Sequence, residues 1–175
     1  MIFKFCPVCG AGMEQFTEDG FPREKCGKCG FVNYHNPRPT VSAVISRGGK
    51  ILLSHRLADP FKGMWDLPGG FMEEEESPED GIKREIREEL GIEIEIKNLI
   101  GVFGPTAYPF GGQELYNVDI YYEVKIISGE PAAVAGSDVM EIDWFDQDKL
   151  PEMAFESNVM AIKVWRGLLK SVPDR

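Results

Sequence analysis

The most chemically suggestive stretch of the chain is acidic. Nine of the twenty-four residues from Gly69 to Ile92 are Glu or Asp. A helix is predicted here, with Ser77 as its N-cap, Pro78 in its first turn and Gly91 at its end. Three glutamates at helical spacing fall on one face of this helix, namely Glu85, Glu88 and Glu89. They could form a solvated face, or they could bind Mg²⁺ or Mn²⁺ through carboxylate oxygens.

A second group of candidate ligands lies near the N-terminus. All four cysteines of the chain occur there as two C-x2-C pairs, Cys6 with Cys9 and Cys26 with Cys29. Paired thiols at this spacing predict a structural zinc site with a closed tetrahedral shell. Two disulfides or a redox motif are the weaker alternatives in a reducing compartment. Metal binding would then supply the folding energy of a segment too small for its own core.

Composition narrows the classes of function. The chain has 175 residues and a net charge of −10. An excess of acid argues against binding to nucleic acid, whose phosphates attract Lys and Arg. No apolar run is long enough for a membrane span, and the first residues do not form a signal peptide. We therefore expect a cytoplasmic protein with no membrane partner.

The remaining elements must position the acidic helix. A zinc ribbon is expected over residues 1–38 and a second domain over residues 39–175. Strands in the second domain are predicted at Val41–Ser46, Lys50–Arg56, Trp65–Gly70, Glu93–Phe103, Leu115–Ile127 and Met140–Phe145, the first two forming a hairpin. A C-terminal amphipathic helix is expected at Asn158–Lys170. This order predicts an α+β fold with a mixed sheet between helices.

The complete acidic pattern resembles a known family signature. It runs from Gly70 through Glu76 to the segment Arg84-Glu85-Ile86-Arg87-Glu88-Glu89-Leu90-Gly91-Ile92. This pattern matches every specified position of the Nudix box, G-x5-E-x7-R-E-U-x-E-E-x-G-U, where U is apolar. The resemblance implies an α/β/α sandwich that hydrolyses a nucleoside diphosphate linked to another moiety. A four-cysteine ribbon ahead of this domain is similar to the arrangement in NADH pyrophosphatases and related dinucleotide hydrolases.

The resemblance also implies roles for individual residues. It makes Glu85, Glu88 and Glu89 the ligands of Mg²⁺ or Mn²⁺, together with the backbone carbonyl of Gly70. It further implies that an ion pair between Glu76 and Arg84 holds the loop against the helix. The general base stays open, because Glu85 or Glu88 could serve, and so could a later acid: Glu114, Asp138 or Glu141.

The substrate is less constrained by the sequence. NADH pyrophosphatases carry an S-Q-P-W-P-F-P-x-S stretch after the box, and only Pro109-Phe110 matches it here. The departure favours enzymes acting on ADP-ribose or FAD, with Tyr108, Phe110 and Asp138 as candidate substrate-binding residues. The alternatives are a house-cleaning hydrolase of nucleoside triphosphates and a non-catalytic nucleotide-sensing module. A homodimer is expected from the architecture that the chain resembles.

Overall fold

A computed structural model describes residues 3–167 and divides the chain into two compact units, Met1–Pro37 and Arg38–Arg175. The first unit is a small antiparallel sheet of β1 (Met13–Glu18), β2 (Phe21–Cys26) and β3 (Val32–Asn33) in that spatial order. Each cysteine pair lies in a tight turn, closed by hydrogen bonds from Gly10 N to the Cys6 carbonyl and from Gly30 N to the Cys26 carbonyl.

The second unit is built on one mixed sheet. Its helices are α1 (Pro78–Leu90) and α2 (Glu156–Trp165). Its strands are β4 (Arg38–Arg47), β5 (Lys50–Arg56), β6 (Trp65–Asp66), β7 (Gly69–Phe71), β8 (Glu93–Phe110), β9 (Gln113–Ser128) and β10 (Val139–Asp146). The main order is β10-β5-β4-β9-β8, and β6 and β7 pair with β5 and β4 respectively. The pair β4 and β9 is parallel, whereas the other neighbours are antiparallel.

Each face of this sheet has its own apolar core. On one face, Ile82, Ile86 and Leu90 of α1 pack on strand residues such as Val41 and Val124. On the other face, α2 packs through residues that include Ala161 and Ile162. Both faces of the sheet are thus covered by a helix, and the predicted α+β sandwich is confirmed.

Several predicted strands differ from the structure by one to three residues at their ends, and two differ more. The stretch Trp65–Gly70 is two short strands, because Pro68 has no N–H with which to continue a ladder. The strand predicted at Glu93–Phe103 extends to Phe110, since register shifts along β8 absorb the break at Gly104-Pro105.

The C-terminal helix begins two residues earlier than predicted and ends at Trp165. The last part of that predicted helix, residues 168–170, lies outside the described residues. Within residues 3–167, no helix combines the length and apolarity needed to cross a bilayer.

Candidate functional site

Helix α1 fixes the acidic face by its caps and its buried stripe. Ser77 Oγ accepts a hydrogen bond from Asp80 N at 3.1 Å, which satisfies one of the free amides of the first turn. Gly91 ends the helix in the left-handed region, where its N–H donates to the Arg87 carbonyl. Because the apolar stripe faces the sheet, the rotation of the helix is set, and Glu85 and Glu89 are turned toward β7.

Two glutamates meet the glycine pair at the start of β7. Glu89 Oε2 accepts a hydrogen bond from Gly69 N at 2.9 Å. The carboxyl group of Glu85 lies over Gly70, so closely that a Cβ at this position would be 2.7 Å from its carbon and both oxygens. The absence of a side chain at Gly70 therefore leaves space that the Glu85 carboxylate occupies.

These carboxylates are buried among like charges. Burial raises the pKa of Glu89 to about 8, the hydrogen bond from Gly69 opposes this rise, and the charges of Glu85, Asp66 and Asp138 add to it. Burial also raises the pKa of Glu85 against its hydrogen bond from Arg84. Burying an anion beside other anions is costly unless a cation is near. The hard oxygen donors at this point fit a divalent cation such as Mg²⁺ or Mn²⁺.

Arg84 joins the loop to the helix. Its Nε and Nη2 donate to the two oxygens of Glu76 at 3.0 and 2.7 Å, and Nη2 also donates to the Phe71 carbonyl. Its Nη1 donates to Glu85 at 2.8 Å and to Glu88 at 3.1 Å. All five N–H donors of the guanidinium are thus in use. The hydrogen bonds from Arg84, followed by one from the Glu73 amide, lower the pKa of Glu76 to about 2.

Glu88 has a different environment from the other two glutamates of the expected metal site. Its side chain is 57% exposed and bonds to Arg84, and it is not among the described residues that line the cleft beside Glu85 and Glu89. Among residues 3–167, the four cysteines gather as a group of possible metal ligands, whereas the three glutamates do not. Glu88 would reach a cation held by the other two by rotation of its exposed side chain away from Arg84.

The carboxylates form one end of a cleft of about 260 Å³. Of the described residues lining it, Arg56 is the single cation. Arg56 Nη1 donates to Asp66 at 2.7 Å, and Arg56 Nε donates to the Pro60 carbonyl at 2.9 Å. Asn158 at the start of α2 donates to the other oxygen of Asp66 and accepts from the Tyr121 hydroxyl at 2.7 Å. This buried network fixes the guanidinium at the cleft wall.

Of the remaining candidate site residues, the structure places two in the cleft and three outside it. Tyr108 and Asp138 line the cleft. Phe110 is 58% exposed at the end of β8, and it is not a lining residue in the described part of the chain. Glu114 accepts a hydrogen bond from Tyr116 on the surface, and Glu141 faces His55 with its side chain 62% exposed.

Sequence reasoning missed several residues of the cleft. Arg56, Asn117, Phe155 and Asn158 come from β5, β9 and the start of α2, and no motif marks them. Arg56 could have been selected from the sequence, because it is a cation in an acidic protein and it ends a predicted strand next to a loop. For the other three residues the sequence holds no local signal.

The cysteines of the first unit gather as the sequence predicts. Their four Sγ atoms lie within 4.8 Å of one another, and both the Cys6–Cys29 and Cys9–Cys26 separations are 3.5 Å. A tetrahedral zinc ion with bonds of about 2.3 Å places its sulfur ligands about 3.8 Å apart. The backbone amide of Cys29, with that of Lys28, lowers the pKa of the Cys26 thiol to about 6 against the effect of burial. The geometry of the four thiols fits a structural zinc ion.

Comparisons with known proteins agree with both units. The NUDIX domain family matches residues 36–162, and the Nudix N-terminal zinc-ribbon family matches residues 4–35. An ADP-ribose pyrophosphatase of Methanocaldococcus jannaschii is 39% identical over 124 residues, which is 70% of each chain. An NAD-capped RNA hydrolase NudC of Haemophilus influenzae is 33% identical over 86% of this chain and 54% of its own length. The chain thus spans about half the length of such NudC relatives.

A solved structure shows the same architecture. The crystal structure of a NUDIX hydrolase from Nitrosomonas europaea superposes with a TM-score of 0.76 at 28% identity, over 92% of this chain and 89% of that one. The chain belongs to the Nudix hydrolases, and its N-terminal unit matches the Nudix zinc-ribbon family.

Proposed function

We propose that this enzyme hydrolyses the pyrophosphate bond of a nucleoside diphosphate linked to another moiety, with Mg²⁺ or Mn²⁺ as cofactor. The observation that carries the proposal is the pair of buried carboxylates, Glu85 and Glu89, held against Gly69 and Gly70 at one end of the cleft. A pair of anions so placed attracts a divalent cation, and a cation there would face any phosphate in the cleft.

The metal would be held by Glu85, Glu89 and the carbonyl of Gly70, with Glu88 as the ligand that completes the set. When bound, the ion supplies positive charge that neutralises the pyrophosphate and makes the attacking water more acidic. Arg84 favours the ionised form of Glu85 and orients it through its hydrogen bond at 2.8 Å, and Glu76 fixes Arg84 in turn. Glu76 and Arg84 therefore act as positioning residues.

Arg56 would bind a phosphate oxygen of the substrate. Its guanidinium is held by Asp66 and by the Pro60 carbonyl, so little conformational entropy is lost when an anion binds. Because Arg56 is the single cation among the described lining residues, the metal and this arginine would share the charge of the pyrophosphate.

Asp138 is the candidate general base among the later acids. It lines the cleft, whereas Glu114 and Glu141 lie on the surface outside it in the described structure. The backbone of Asp138 is fixed where its carbonyl accepts a hydrogen bond from Leu57 N at 2.9 Å. A carboxylate held near Glu89 but outside the metal ligands is suited to accept a proton from water.

ADP-ribose is the first substrate to test. The Methanocaldococcus jannaschii relative is an ADP-ribose pyrophosphatase, and the departure from the NADH pyrophosphatase stretch after the box favours the same compound. The NudC relatives make NAD and NAD-capped RNA the second set of compounds. A nucleoside triphosphate represents the house-cleaning alternative.

The test is product analysis of the purified enzyme with Mg²⁺ or Mn²⁺. ADP-ribose should yield AMP and ribose 5-phosphate, whereas a house-cleaning enzyme would release pyrophosphate from a triphosphate. Glu85→Gln should lower kcat/KM by about 100-fold or more, because it removes a charged group at the reacting centre.

The matched control is Glu95→Gln, which makes the same chemical change on the exposed surface of β8, where Glu95 pairs with Lys97. This control should keep full activity. If neither ADP-ribose nor NAD is cleaved and only the triphosphate is, the proposed substrate class is wrong. If no compound is cleaved although the metal binds, the chain is a nucleotide sensor and not a pyrophosphohydrolase.

A further inference from the structure

The cleft contains a pair of aromatic rings with a specific arrangement. The rings of Tyr108 and Phe155 are nearly parallel, with an interplanar angle of 13° and centroids 6.1 Å apart. Phe71 meets Tyr108 edge-on at 5.4 Å, and Phe61 meets Phe155 edge-on at 5.2 Å. Because each ring has an edge-on neighbour, the orientation of both planes is fixed before any ligand binds.

The two rings leave part of each other's face uncovered. Stacked rings touch when their planes are about 3.5 Å apart, so nearly parallel rings with centroids 6.1 Å apart are offset or separated, and neither ring covers the other. Both side chains are partly buried and both line the cleft, so a base that enters the cleft has a ring face on which to stack.

A polar side chain without a partner lies beside the rings. Asn117 is 4% exposed and lines the cleft, yet its Oδ1 is buried and forms no hydrogen bond with any described residue. Buried amide oxygens are nearly always paired, because leaving one unpaired costs free energy. The neighbouring acid is no partner, because the Asp119 carboxylate is an acceptor like the amide oxygen; it receives hydrogen bonds from Thr40 at 2.7 Å and from Thr106 at 2.5 Å.

The sheet register places Asn117 next to Tyr108. Asn117 of β9 pairs with Thr106 of β8, and Tyr108 lies two residues further along β8 on the same face. Such diagonal neighbours are roughly 7–8 Å apart across an antiparallel pair. At that separation, a base stacked on the Tyr108 ring would have one of its edges beside the Asn117 amide.

We propose that Tyr108, Phe155 and Asn117 form the nucleobase subsite, and that Asn117 selects a base with an exocyclic amino group beside a ring nitrogen, as in adenine. An asparagine amide offers an acceptor and a donor side by side, and this pattern matches the amino and ring nitrogen atoms of adenine. The inference rests on the proposed function for the identity of the ligand, because it assumes that a nucleotide enters this cleft.

Binding of AMP tests the subsite without hydrolysis. Calorimetry on the full chain would compare AMP with purine riboside 5′-monophosphate, which lacks only the 6-amino group. The wild type should bind AMP about tenfold more tightly, the discrimination expected of a paired amide. This comparison needs no variant and therefore does not depend on the folding of one.

Variants then assign the effect to individual side chains. Asn117→Leu should remove the preference for AMP, because AMP loses both of its bonds to the amide whereas the deamino analogue loses only the bond to its ring nitrogen. Phe155→Leu should weaken both ligands by about tenfold, because stacking does not depend on the amino group. The matched control is Tyr116→Leu, at an exposed ring adjacent to Asn117 that does not line the cleft in the described structure. This control should change neither affinity.

The outcomes separate this inference from the proposed function. Equal affinity of the wild type for the two ligands, or an equal loss for both in Asn117→Leu, would overturn the subsite. If ADP-ribose is hydrolysed in that case, the function stands without it. If AMP binding depends on the amino group but no compound is cleaved, the subsite stands and the proposed function is wrong.

Discussion

Substitution of Gly70 by Ala should lower the catalytic rate while leaving the stability of the fold nearly unchanged. An added Cβ would be 2.7 Å from the carboxyl atoms of Glu85, whereas ordinary contacts at a Cβ begin at 3.4 Å. The carboxylate must therefore move by at least about 0.7 Å, and a displacement near 1 Å of a positioned group costs about 100-fold in rate. The group that moves is the end of a flexible side chain, so the fold itself should lose less than about 1 kcal/mol.

Gly69 provides a control that makes the same chemical change one residue earlier. Its backbone φ is +144°, and an added Cβ would be 2.1 Å from the Val41 carbonyl oxygen in the neighbouring strand. Backbone atoms cannot move aside as a side chain can, so Gly69→Ala should cost about 3 kcal/mol and lower Tm by roughly 10 °C.

The assay measures kcat/KM for ADP-ribose with Mg²⁺, from the AMP formed, alongside Tm by calorimetry. Gly70→Ala should keep the wild-type Tm within about 3 °C and lose about 100-fold in kcat/KM. If this variant is as stable as the wild type and within about threefold of its activity, the position of the Glu85 carboxylate does not matter for the reaction. The reasoning about the glycine pair would then be wrong.

Three further predictions follow from the contacts. Glu76→Gln should cost about 1–3 kcal/mol at pH 7, because Arg84 loses a charged partner. Since the folded-state pKa of Glu76 is lowered to about 2, the stability it provides is present above pH 4.3 and is lost as the pH falls toward 2. Urea unfolding of the wild type and the variant should therefore converge over that window, and a constant difference would contradict the assignment. Tyr121→Phe should cost about 1–2 kcal/mol in the same assay by leaving Asn158 Oδ1 without its donor, and an unchanged midpoint would show that the bond contributes nothing. Metal analysis should find one zinc ion per chain in the wild type and none in Cys9→Ser, and this variant should raise hydrogen exchange in the ribbon alone; full zinc content in the variant would exclude the four-thiolate site.

The acidic helix could be read from the sequence because its requirements are local. The cap at Ser77, the stripe from Ile82 to Leu90 and the end at Gly91 are all short-range features, and the same spacing sets which face bears the glutamates. The cysteine pairs are equally local, since each pair lies in one turn. The family pattern added expected roles for these residues but did not change their placement.

The opposite wall of the cleft could not be read in this way. Asn158 bonds to Asp66 across 92 residues of sequence, and Tyr108 meets Phe155 only because β8 and the start of α2 converge. These contacts depend on strand order and on the register shifts along β8, which no window of residues contains. Aromatic and amide residues on strands are also common in ordinary cores, so the residue types alone gave no reason to select Tyr108, Phe155 or Asn158 as site residues.

Electrostatics ties the cleft to the composition of the whole chain. A protein of net charge −10 that places Glu85, Glu89, Asp66 and Asp138 around one cleft offers little attraction to a pyrophosphate, because Arg56, the single cation among the described lining residues, is already paired with Asp66. Binding of the substrate should therefore require the divalent cation, and not merely be accelerated by it. In the absence of Mg²⁺ or Mn²⁺, affinity for ADP-ribose should fall by much more than affinity for the uncharged nucleoside adenosine, which lacks the phosphates and would contact only the aromatic end of the cleft. Parallel loss of both affinities would instead mean that the cation organises the cleft itself.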